Sequence, residues 1–400
     1  MAQEINLQLQ QIKRGIVEVI SEQELAQKLQ QSIKTKTPLR VKAGFDPTAP
    51  DIHLGHTVLL RKLGHFQKLG HKVIFLIGDY TAIIGDPSGQ SATRKIISED
   101  QIKQNAKTYL RQVSKILDTE DKGVFELRYN SEWFGTHKDK GMDLVSFLDL
   151  CSKYNIARLI ERDDFSKRLK EGKPISVSEF LYPLMQAYDS VKLGADIEIG
   201  GNDQKFNLLV GRDIQKAFGQ TPQVVITMPL LEGLDGKLKM SKSYNNYVGI
   251  DESPKEMFGK IMSVSDEIMH RFYELLTDED LDKIKDLHPK EAKLNLAGII
   301  VEQYHSKQEA KNAQEEFEKI FSEGSLPSDM PVYKLNTQKA ILDVLVESGL
   351  IKTKNEGRRL IQEGALTIDD QKIKDPNKII APQEGILKLG TRRFLKLSVR

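Results

Sequence analysis

Two histidines separated by Leu-Gly directly follow a turn that is rich in Pro and Asp. They end the stretch FDPTAPDIHLGH (45–56), and a helical pattern begins at the same place. A helix N-terminus attracts anions through its unpaired N–H groups and its dipole, and Gly55 would let a ligand approach the backbone closely. His53 and His56 could then donate hydrogen bonds to phosphate oxygens. Zinc-binding histidines on a helix usually stand four apart beside a third ligand, whereas these stand three apart, so no metal site is predicted.

A second polar stretch, LDGKLKMSKSYNN (234–246), places three lysines within six residues after an apolar segment. Asp235 and Gly236 predict a turn, and the polar composition predicts a surface loop. Lys237, Lys239 and Lys242 either form an ordinary solvated face or fold over a polyphosphate. Taken alone, the loop leaves both interpretations open.

Residues so far apart need a framework that brings them together. The segments PLRVKAGF, HKVIFLIGD, VFELRY, ADIEIG and QVVITM predict strands, with helical patterns between them. Such alternation predicts an α/β fold with a doubly wound parallel sheet. Residues 6–32 have apolar positions at helical spacing, including Val19 and Ile20, with Ser21 as the N-cap of a second helix.

The pattern changes near Ser253. Helical segments alone continue to about residue 325, and SEGSLPSDMP (322–331) predicts a linker. Two short helices and several short strands are expected after it. We therefore expect an α/β domain at 1–250, an all-α domain at 251–325 and a small basic α+β module at 332–400.

The composition is that of an ordinary globular protein, with 39% hydrophobic and 29% charged residues. Charge is uneven: residues 331–400 carry a net +6 and the rest a net −4. A basic end suggests a polyanionic partner, although a solvated basic face is an equal alternative on this observation alone. One cysteine, Cys151, excludes an internal disulfide framework. Because neither a signal peptide nor a membrane span of ~18 apolar residues is seen, a cytosolic protein is expected.

Together the two polar stretches are far more specific than either alone. HLGH after the first strand of the sheet and KMSKS after a late strand resemble the signature pair of class I aminoacyl-tRNA synthetases. AGFDPT (43–48), IGDPSG (84–89), YNSEW (129–133), LYPLMQAYDS (181–190) and GGNDQKFN (200–207) resemble the tyrosyl members. TKNEGRRLIQEGALTID (353–369) resembles the small RNA-binding domain, shared with a ribosomal protein, that ends bacterial-type tyrosyl enzymes. The resemblance implies a Rossmann-like, HUP-type catalytic domain, an α-helical anticodon-side domain and an RNA-binding module.

The family's reaction is implied as well. Tyrosine and ATP would form tyrosyl-adenylate and pyrophosphate, and tyrosine would then pass to the 3′ end of tRNA(Tyr). Mg²⁺ would be held mainly by the phosphates. The family also implies a cytoplasmic homodimer.

Site residues carry over from the matching motifs. The implied catalytic contacts to phosphates are Thr48, His53, His56, Lys239, Lys242 and Arg94. Further implied ATP contacts are Gly44, Asp46, Gly55, Gly201, Asp203, Met240 and Ser241. The implied tyrosine contacts are Asp86, Asn130, Tyr182, Gln186, Asp189 and Gln204, with Asp189 accepting the phenol hydroxyl. The residues expected to contact tRNA phosphates are Lys352, Lys354, Arg358, Arg359, Arg392 and Arg393.

The residues themselves agree with a polar-substrate pocket. Tyr182, Gln186 and Asp189 stand at i, i+4 and i+7, on one stripe of a helix. Two departures from the family pattern affect how many protein groups contact the substrate phenol and the pyrophosphate. Lys42 stands where some members have a tyrosine that helps bind the phenol, and Gln90 replaces a basic residue, so that Arg94 would act alone on pyrophosphate.

Three other functions remain open on the sequence. A tryptophan enzyme shares the fold and both signatures, but its substrate has no phenol to match Asp189. A non-catalytic RNA-binding relative would keep the fold without the chemistry. A small adenylyltransferase would use an HxGH loop on another acceptor, in a shorter chain.

Overall fold

Alternating strands and helices surround one central sheet, as the sequence pattern predicts. The computed structural model describes residues 2–48, 51–86, 98–135, 141–322, 330–369, 371–390 and 393–399. The chain divides into two units, Met1–Ala313 and Gln314–Arg400. The expected division at residue 250 lies inside the first unit.

The first unit contains six strands and most of the helices. The strands are β1 (Glu18–Ile20), β2 (Arg40–Phe45), β3 (Lys72–Ile77), β4 (Phe125–Tyr129), β5 (Ile197–Gly201) and β6 (Val224–Met228). The helices up to residue 217 are α1 (Ala2–Lys13), α2 (Glu22–Thr35), α3 (Leu54–Lys68), α4 (Thr81–Ile84), α5 (Glu99–Val113), α6 (Ser131–Phe134), α7 (Leu144–Ser152), α8 (Ile156–Ile160), α9 (Asp163–Lys170), α10 (Val177–Leu193) and α11 (Lys205–Ala217). A 3₁₀ turn, Asn202–Gln204, joins β5 to α11.

The sheet has the order β1-β6-β5-β2-β3-β4, and all strands except β1 run parallel. The chain moves outward from β2 through β3 to β4, and then returns to the other side of β2 to form β5 and β6. The winding direction therefore changes between β2 and β5. In open α/β sheets such a switch point leaves a crevice at the carboxyl ends of the strands.

Burial explains why the strand segments are continuous apolar runs. All five residues of β6 are buried, as are the last five of β3. Strands covered by helices on both faces lose the alternation of exposed and buried positions. Helices α3 and α11 supply part of this cover.

The helical prediction for residues 6–32 is wrong at one place. Glu18–Ile20 form β1, an antiparallel edge strand paired with Val225 to Thr227 of β6. Three residues with two β-branched side chains can complete a sheet edge, and this long-range pairing overrides the local helical spacing. The N-cap prediction is confirmed, because Ser21 Oγ accepts a hydrogen bond from the Glu24 backbone N–H at 3.2 Å.

The segment after Ser253 is helical, as predicted. Its helices are α12 (Pro254–Met262), α13 (Asp266–Leu276), α14 (Leu281–Lys285), α15 (Pro289–Tyr304) and α16 (Lys307–Ser322). Asp278 ties this segment to α3, where it accepts from Arg61 at 2.8 Å and from Lys68 at 3.1 Å. Most of the predicted linker at 322–331 lies outside the described residues.

The second unit has its own core. Its elements are β7 (Val332–Lys334), β8 (Lys339–Ala340), α17 (Ile341–Glu347), α18 (Lys354–Gln362), β9 (Leu366–Ile368), β10 (Gln371–Ile373), β11 (Ile379–Ile380), β12 (Gly385–Leu389) and β13 (Arg393–Ser398). Five strands form one sheet in the order β10-β9-β12-β13-β7, and β8 and β11 form another. Leu345, Ile361 and Leu387 are among the fully buried residues of this core. The predicted mixture of two short helices and several strands is confirmed.

In the described part of the chain, no helix combines the length and the apolar character that a membrane crossing requires.

Candidate active site

A cavity of about 290 Å³ opens at the carboxyl ends of β2 and β5, where the winding direction changes. It collects residues from several distant parts of the chain. The sequence-predicted residues that line it are Gly44, Asp46, Thr48, Gly55, His56, Asp86, Tyr182, Gly201, Asp203 and Gln204. The sheet thus brings most of the expected ATP site together in one place.

The two histidines of HLGH begin α3 and are locked by backbone hydrogen bonds. His53 is the N-cap, and its Nδ1 accepts from the Gly55 N–H at 3.2 Å. The His53 N–H donates to His56 Nδ1, also at 3.2 Å. Because both Nδ1 atoms act as acceptors, each neutral ring carries its proton on Nε2.

Both histidines are neutral at ordinary pH. Burial, with smaller effects from His56 and Lys242, lowers the pKa of His53 to about 2. Burial and Lys242 likewise lower the pKa of His56 to about 4. Gly55 fits this packing, since a Cβ there would lie 3.0 Å from the His53 ring. The arrangement offers neutral N–H donors at a helix N-terminus, which suits an anion.

The lysine loop is joined to both sides of the cavity. Lys239 Nζ lies 3.5 Å from Asp203 Oδ2, beyond the end of β5. Lys242 Nζ lies 2.6 Å from Asp51 Oδ2, just before HLGH. Met240 is buried, and its N–H donates to the Leu231 carbonyl at 2.7 Å.

An internal brace shapes this loop. Asn246 Nδ2 donates to Asp235 Oδ2 at 3.0 Å, and Asn246 Oδ1 accepts from the Ser241 N–H at 2.8 Å. The predicted surface loop is therefore ordered by its own side chains. Its lysine ammonium groups are held on the HLGH side and on the β5 side.

The predicted polar stripe lies on α10, and all three of its residues are buried. Tyr182 O–H donates to Asp46 Oδ2 at 2.8 Å. Asp189 Oδ1 accepts from Trp133 Nε1–H at 2.9 Å. Burial raises the pKa of Asp189 to about 7, although nearby Lys42 and the Trp133 hydrogen bond act in the opposite direction. The stripe thus runs from the cavity wall at Tyr182 to a deeply buried acceptor.

Asp86 and Gln204 meet beside Tyr182. Gln204 Nε2 donates to Asp86 Oδ2 at 3.0 Å, and Asn207 Nδ2 lies 3.5 Å from Asp86 Oδ1. Gln204 Oε1 accepts from the Gly201 N–H at 3.2 Å, which ties the amide to the end of β5. A carboxylate held in this way can accept hydrogen bonds from a cationic ligand group.

Known proteins resemble this chain over nearly its whole length. The profile of class I tRNA synthetases (W and Y) matches residues 34–322, and that of the tyrosine--tRNA ligase SYY-like C-terminal domain matches residues 322–388. A tyrosine--tRNA ligase of Nitratidesulfovibrio vulgaris is 53% identical over 99% of this chain and 100% of that protein. One of Aquifex aeolicus is 54% identical over 98% of each.

The chain belongs to the tyrosine--tRNA ligase family. The family resemblance inferred from the sequence is thereby confirmed.

Solved structures agree on the fold of this family member. A C-terminally truncated mitochondrial tyrosyl-tRNA synthetase of Aspergillus nidulans has a TM-score of 0.64 at 24% identity, covering 80% of this chain and 97% of that one. The tyrosyl-tRNA synthetase of Archaeoglobus fulgidus, complexed with L-tyrosine, has a TM-score of 0.60 at 23% identity, covering 78% and 99%. The predicted class I α/β fold is confirmed.

Some family positions make internal contacts or lie outside the described residues. Asn130 is fully buried and uses its amide internally: Oδ1 accepts from the Tyr80 N–H at 2.9 Å, and Nδ2 donates to Thr81 Oγ1 at 3.1 Å. It therefore shapes the turn after β3, and it also forms a side-chain hydrogen bond with Asp189. Arg94, Gln90 and Arg392 lie outside the described residues.

Two residues near the ligase site were not predicted from the sequence. Trp133, the last residue of YNSEW (129–133), donates its indole N–H to Asp189, and no sequence pattern indicates a contact with a residue 56 positions away. Tyr109 of α5 lines the cavity and is 4% exposed. Burial and the charges of Asp46 and Asp51 raise the pKa of Tyr109, so its hydroxyl stays protonated.

The basic residues of the second unit differ in their surroundings. Arg358 and Arg359 are exposed on α18, where Arg358 donates to Asn355 Oδ1 at 2.9 Å. Lys354 pairs with Asp343 at 2.5 Å. Arg393 pairs with Glu356 and donates to the Leu350 carbonyl, which makes it part of the module's own structure. Lys352 is exposed.

Proposed function

We propose that this chain activates L-tyrosine with ATP and transfers it to tRNA(Tyr), as a tyrosine--tRNA ligase. The observation that carries the proposal is the α10 stripe. It leads from the nucleotide cavity to Asp189, a carboxylate 2% exposed and held by Trp133. Relatives about 50% identical over the full chain are tyrosine--tRNA ligases.

In the proposed reaction, the tyrosine carboxylate attacks the α-phosphorus of ATP in line and pyrophosphate leaves. Such chemistry depends on positioning and on stabilising charge as it develops. The Nε2–H groups of His53 and His56, with Thr48, would donate to phosphate oxygens. Lys239, Lys242 and Arg94 would hold the leaving pyrophosphate.

Nucleotide and amino acid would occupy neighbouring parts of the site. Gly44, Gly55 and Gly201 would leave room for ATP against the backbone, and Asp46 and Asp203 would face its ribose and adenine side. Met240 and Ser241 would place the lysine loop over the phosphates. Mg²⁺ would enter bound mainly to phosphate oxygens and water.

For tyrosine, Asp189 would accept the phenol O–H while Asp86, Tyr182 and Gln186 hold the α-ammonium. Gln204 and Asn130 would line the same pocket, where Gln204 contacts Asp86 and Asn130 contacts Asp189. Phenylalanine lacks the hydroxyl and would leave Asp189 buried without its partner, which is costly. Selectivity for tyrosine would follow from that cost.

The second unit would grip tRNA through exposed cations such as Lys352, Arg358 and Arg359. Binding of this kind weakens steeply with salt because phosphate contacts release counterions. A cytoplasmic homodimer is part of the proposal. Leu144, Val145 and Leu148 on α7 are 72%, 75% and 57% exposed, and they offer an apolar surface for a second copy.

ATP–pyrophosphate exchange with tyrosine, phenylalanine and tryptophan in turn tests the activation step. Exchange with tyrosine alone is expected. Exchange with tryptophan would overturn the assignment of Asp189. If none of the three supports exchange, a non-catalytic RNA-binding role would replace the proposal.

A further inference from the structure

A buried charged network lies beneath the amino acid end of the site, at the position where the family pattern varies. Lys42 of β2 is 0% exposed. Its Nζ donates to Glu198 Oε1 at 2.8 Å, to the Gln186 carbonyl at 3.1 Å and to Ser190 Oγ at 3.1 Å. An ammonium group has three N–H donors, so all of them are used inside the protein. Lys42 therefore has no donor left for a bound phenol.

Glu198 of β5, only 1% exposed, is the centre of this network. Besides Lys42, its Oε1 accepts from Gln186 Nε2 at 3.1 Å. Its Oε2 accepts from Ser190 Oγ at 3.1 Å and from Gln223 Nε2. An ionised carboxylate has acceptors and no donors, so each amide that contacts it must present its NH₂ group.

This rule fixes the orientation of the Gln186 amide. With Nε2 turned toward Glu198, Oε1 must point the other way, where it is buried and has no hydrogen-bond partner among the described residues. A buried acceptor without a partner calls for an explanation, and a ligand donor is one. Gln186 lies one helical turn from Tyr182, which lines the cavity.

Gln223 has the same orientation and also an unpartnered Oε1. It precedes β6, however, and thus lies at the amino end of that strand, whereas the cavity lies at the carboxyl ends. Of the two oriented amides, Gln186 is the one placed beside the site.

We propose that Lys42 and Glu198 are positioning residues that hold the Gln186 amide with its oxygen available to the α-ammonium group of tyrosine. Lys42 neutralises Glu198 in the interior, and Glu198 selects the amide orientation. The inference rests on the proposed tyrosine activation. It assigns to Lys42 a task on the ammonium side of the substrate, in addition to the effect of its charge on nearby Asp189.

The test compares two ligands that differ only in the ammonium group: tyrosine and 3-(4-hydroxyphenyl)propionate. A neutral amide in place of Glu198 can donate as well as accept, so Glu198→Gln frees the Gln186 amide to rotate. We expect the dissociation constant of tyrosine to rise about tenfold or more, while the inhibition constant of the propionate changes less than about twofold. The kcat for pyrophosphate exchange and the KM for ATP should change little.

Glu179→Gln is the matched control. Glu179 is also a buried carboxylate on α10, and it accepts hydrogen bonds from Arg168 and from the Ser176 N–H. Its removal should leave the affinity ratio of the two ligands unchanged.

In the Glu198→Gln variant, Lys42 is buried without its carboxylate partner, and this could prevent folding. A second variant covers that case. Lys42→Met combined with Glu198→Gln removes both charges, and it should show the same selective loss for tyrosine. Equal weakening of both ligands, or an unchanged ratio in the folded variants, would overturn the proposal. Failure of the unmodified protein to bind tyrosine would instead contradict the proposed function itself.

Discussion

The proton positions on His53 and His56 determine which hydrogen bonds this site can donate to an anion. Two neutral rings, each with Nε2–H, can donate to phosphate without adding charge. Because burial lowers both pKa values to about 4 or below, the rings keep this form across the physiological range. The positive charge near the phosphates must therefore come from other groups, namely the lysine loop, the helix N-terminus and, in the proposed reaction, Arg94.

Lys242 can be used to test whether the lysine loop, and not the histidines, supplies the positive charge. Lys242→Ala should leave tyrosine affinity intact and slow adenylate formation about a hundredfold or more, because it removes a cation that acts on the departing pyrophosphate. Equilibrium titration with tyrosine and single-turnover kinetics measure the two effects. Lys237→Ala, an exposed lysine in the same loop, is the control and should change neither. A large loss of tyrosine affinity would remove Lys242 from this role.

Asp189 gives a prediction for stability against pH. Its pKa is raised from 3.8 to about 7, so between these values the folded protein keeps a proton that the unfolded chain releases. The free energy of unfolding contributed by Asp189 should therefore fall as pH rises through this window and stay constant above it. Asp189→Asn removes this titration. The change that the variant makes to the free energy of unfolding of the ligand-free protein should therefore be more favourable at pH 8 than at pH 4.5, by about 1 kcal/mol or more.

Urea unfolding of wild type and variant at several pH values checks this expectation. Asp286→Asn, at an exposed carboxylate of the same unit, serves as control. A variant effect that does not depend on pH would contradict a raised pKa at Asp189. The same variant should lose tyrosine-dependent pyrophosphate exchange.

At the residue scale, the types of the site residues could be predicted from the sequence, but their protonation states and hydrogen-bond partners could not. Motifs and the family resemblance predicted His53, Tyr182 and Asp189 as site residues. Tautomers, the role of Trp133 and the internal use of Lys42 depend on neighbours brought together by the fold, and those neighbours are far away in the sequence.

At the scale of elements, α5 supports the segment that precedes HLGH. Asn105 Nδ2 donates to the Pro47 carbonyl at 2.8 Å, and Gln112 Oε1 accepts from the Ile52 N–H at 2.5 Å. Both side chains are buried, and Tyr109 lines the cavity from the same stripe of the helix. The helix thus holds the backbone at Pro47 and at Ile52.

Asn105→Ala should loosen the loop and leave the Pro47 carbonyl buried without its donor. We expect the KM for ATP to rise about tenfold, with tyrosine affinity within about twofold of wild type, because the two subsites use different elements. Steady-state exchange kinetics with each substrate varied in turn measure the change. Lys107→Ala, at an exposed position of α5, is the control. A tyrosine defect of equal size would show that α5 supports the whole site.

The strands of the sheet were predictable because buried parallel strands leave continuous apolar runs. β1 was not, since three residues on a sheet edge carry too weak a periodicity. The supporting role of α5 also escaped prediction. Its polar contacts are with Pro47 and Ile52, 58 and 60 residues away in the sequence, and helical spacing alone does not reveal them.

At the scale of the whole molecule, the alternation of strands and helices predicted the doubly wound sheet. The order of its strands, and hence the location of the crevice, follows from long-range pairing that the pattern does not contain. The net positive charge of residues 331–400 distinguishes the second unit in the sequence. Both units bury their own apolar residues, which makes their tasks separable by experiment.

Removal of residues 332–400 should abolish tRNA charging and spare tyrosine-dependent pyrophosphate exchange. The second unit closes its own core around residues such as Leu345 and Ile361, so deletion should leave the sheet and cavity of the first unit intact. Aminoacylation and exchange assays on the same preparation separate the two steps. Combined Arg358→Ala and Arg359→Ala in the full chain, at two exposed positions, should weaken charging and reduce its salt dependence without affecting exchange. Loss of exchange on deletion would instead make the second unit part of the catalytic structure.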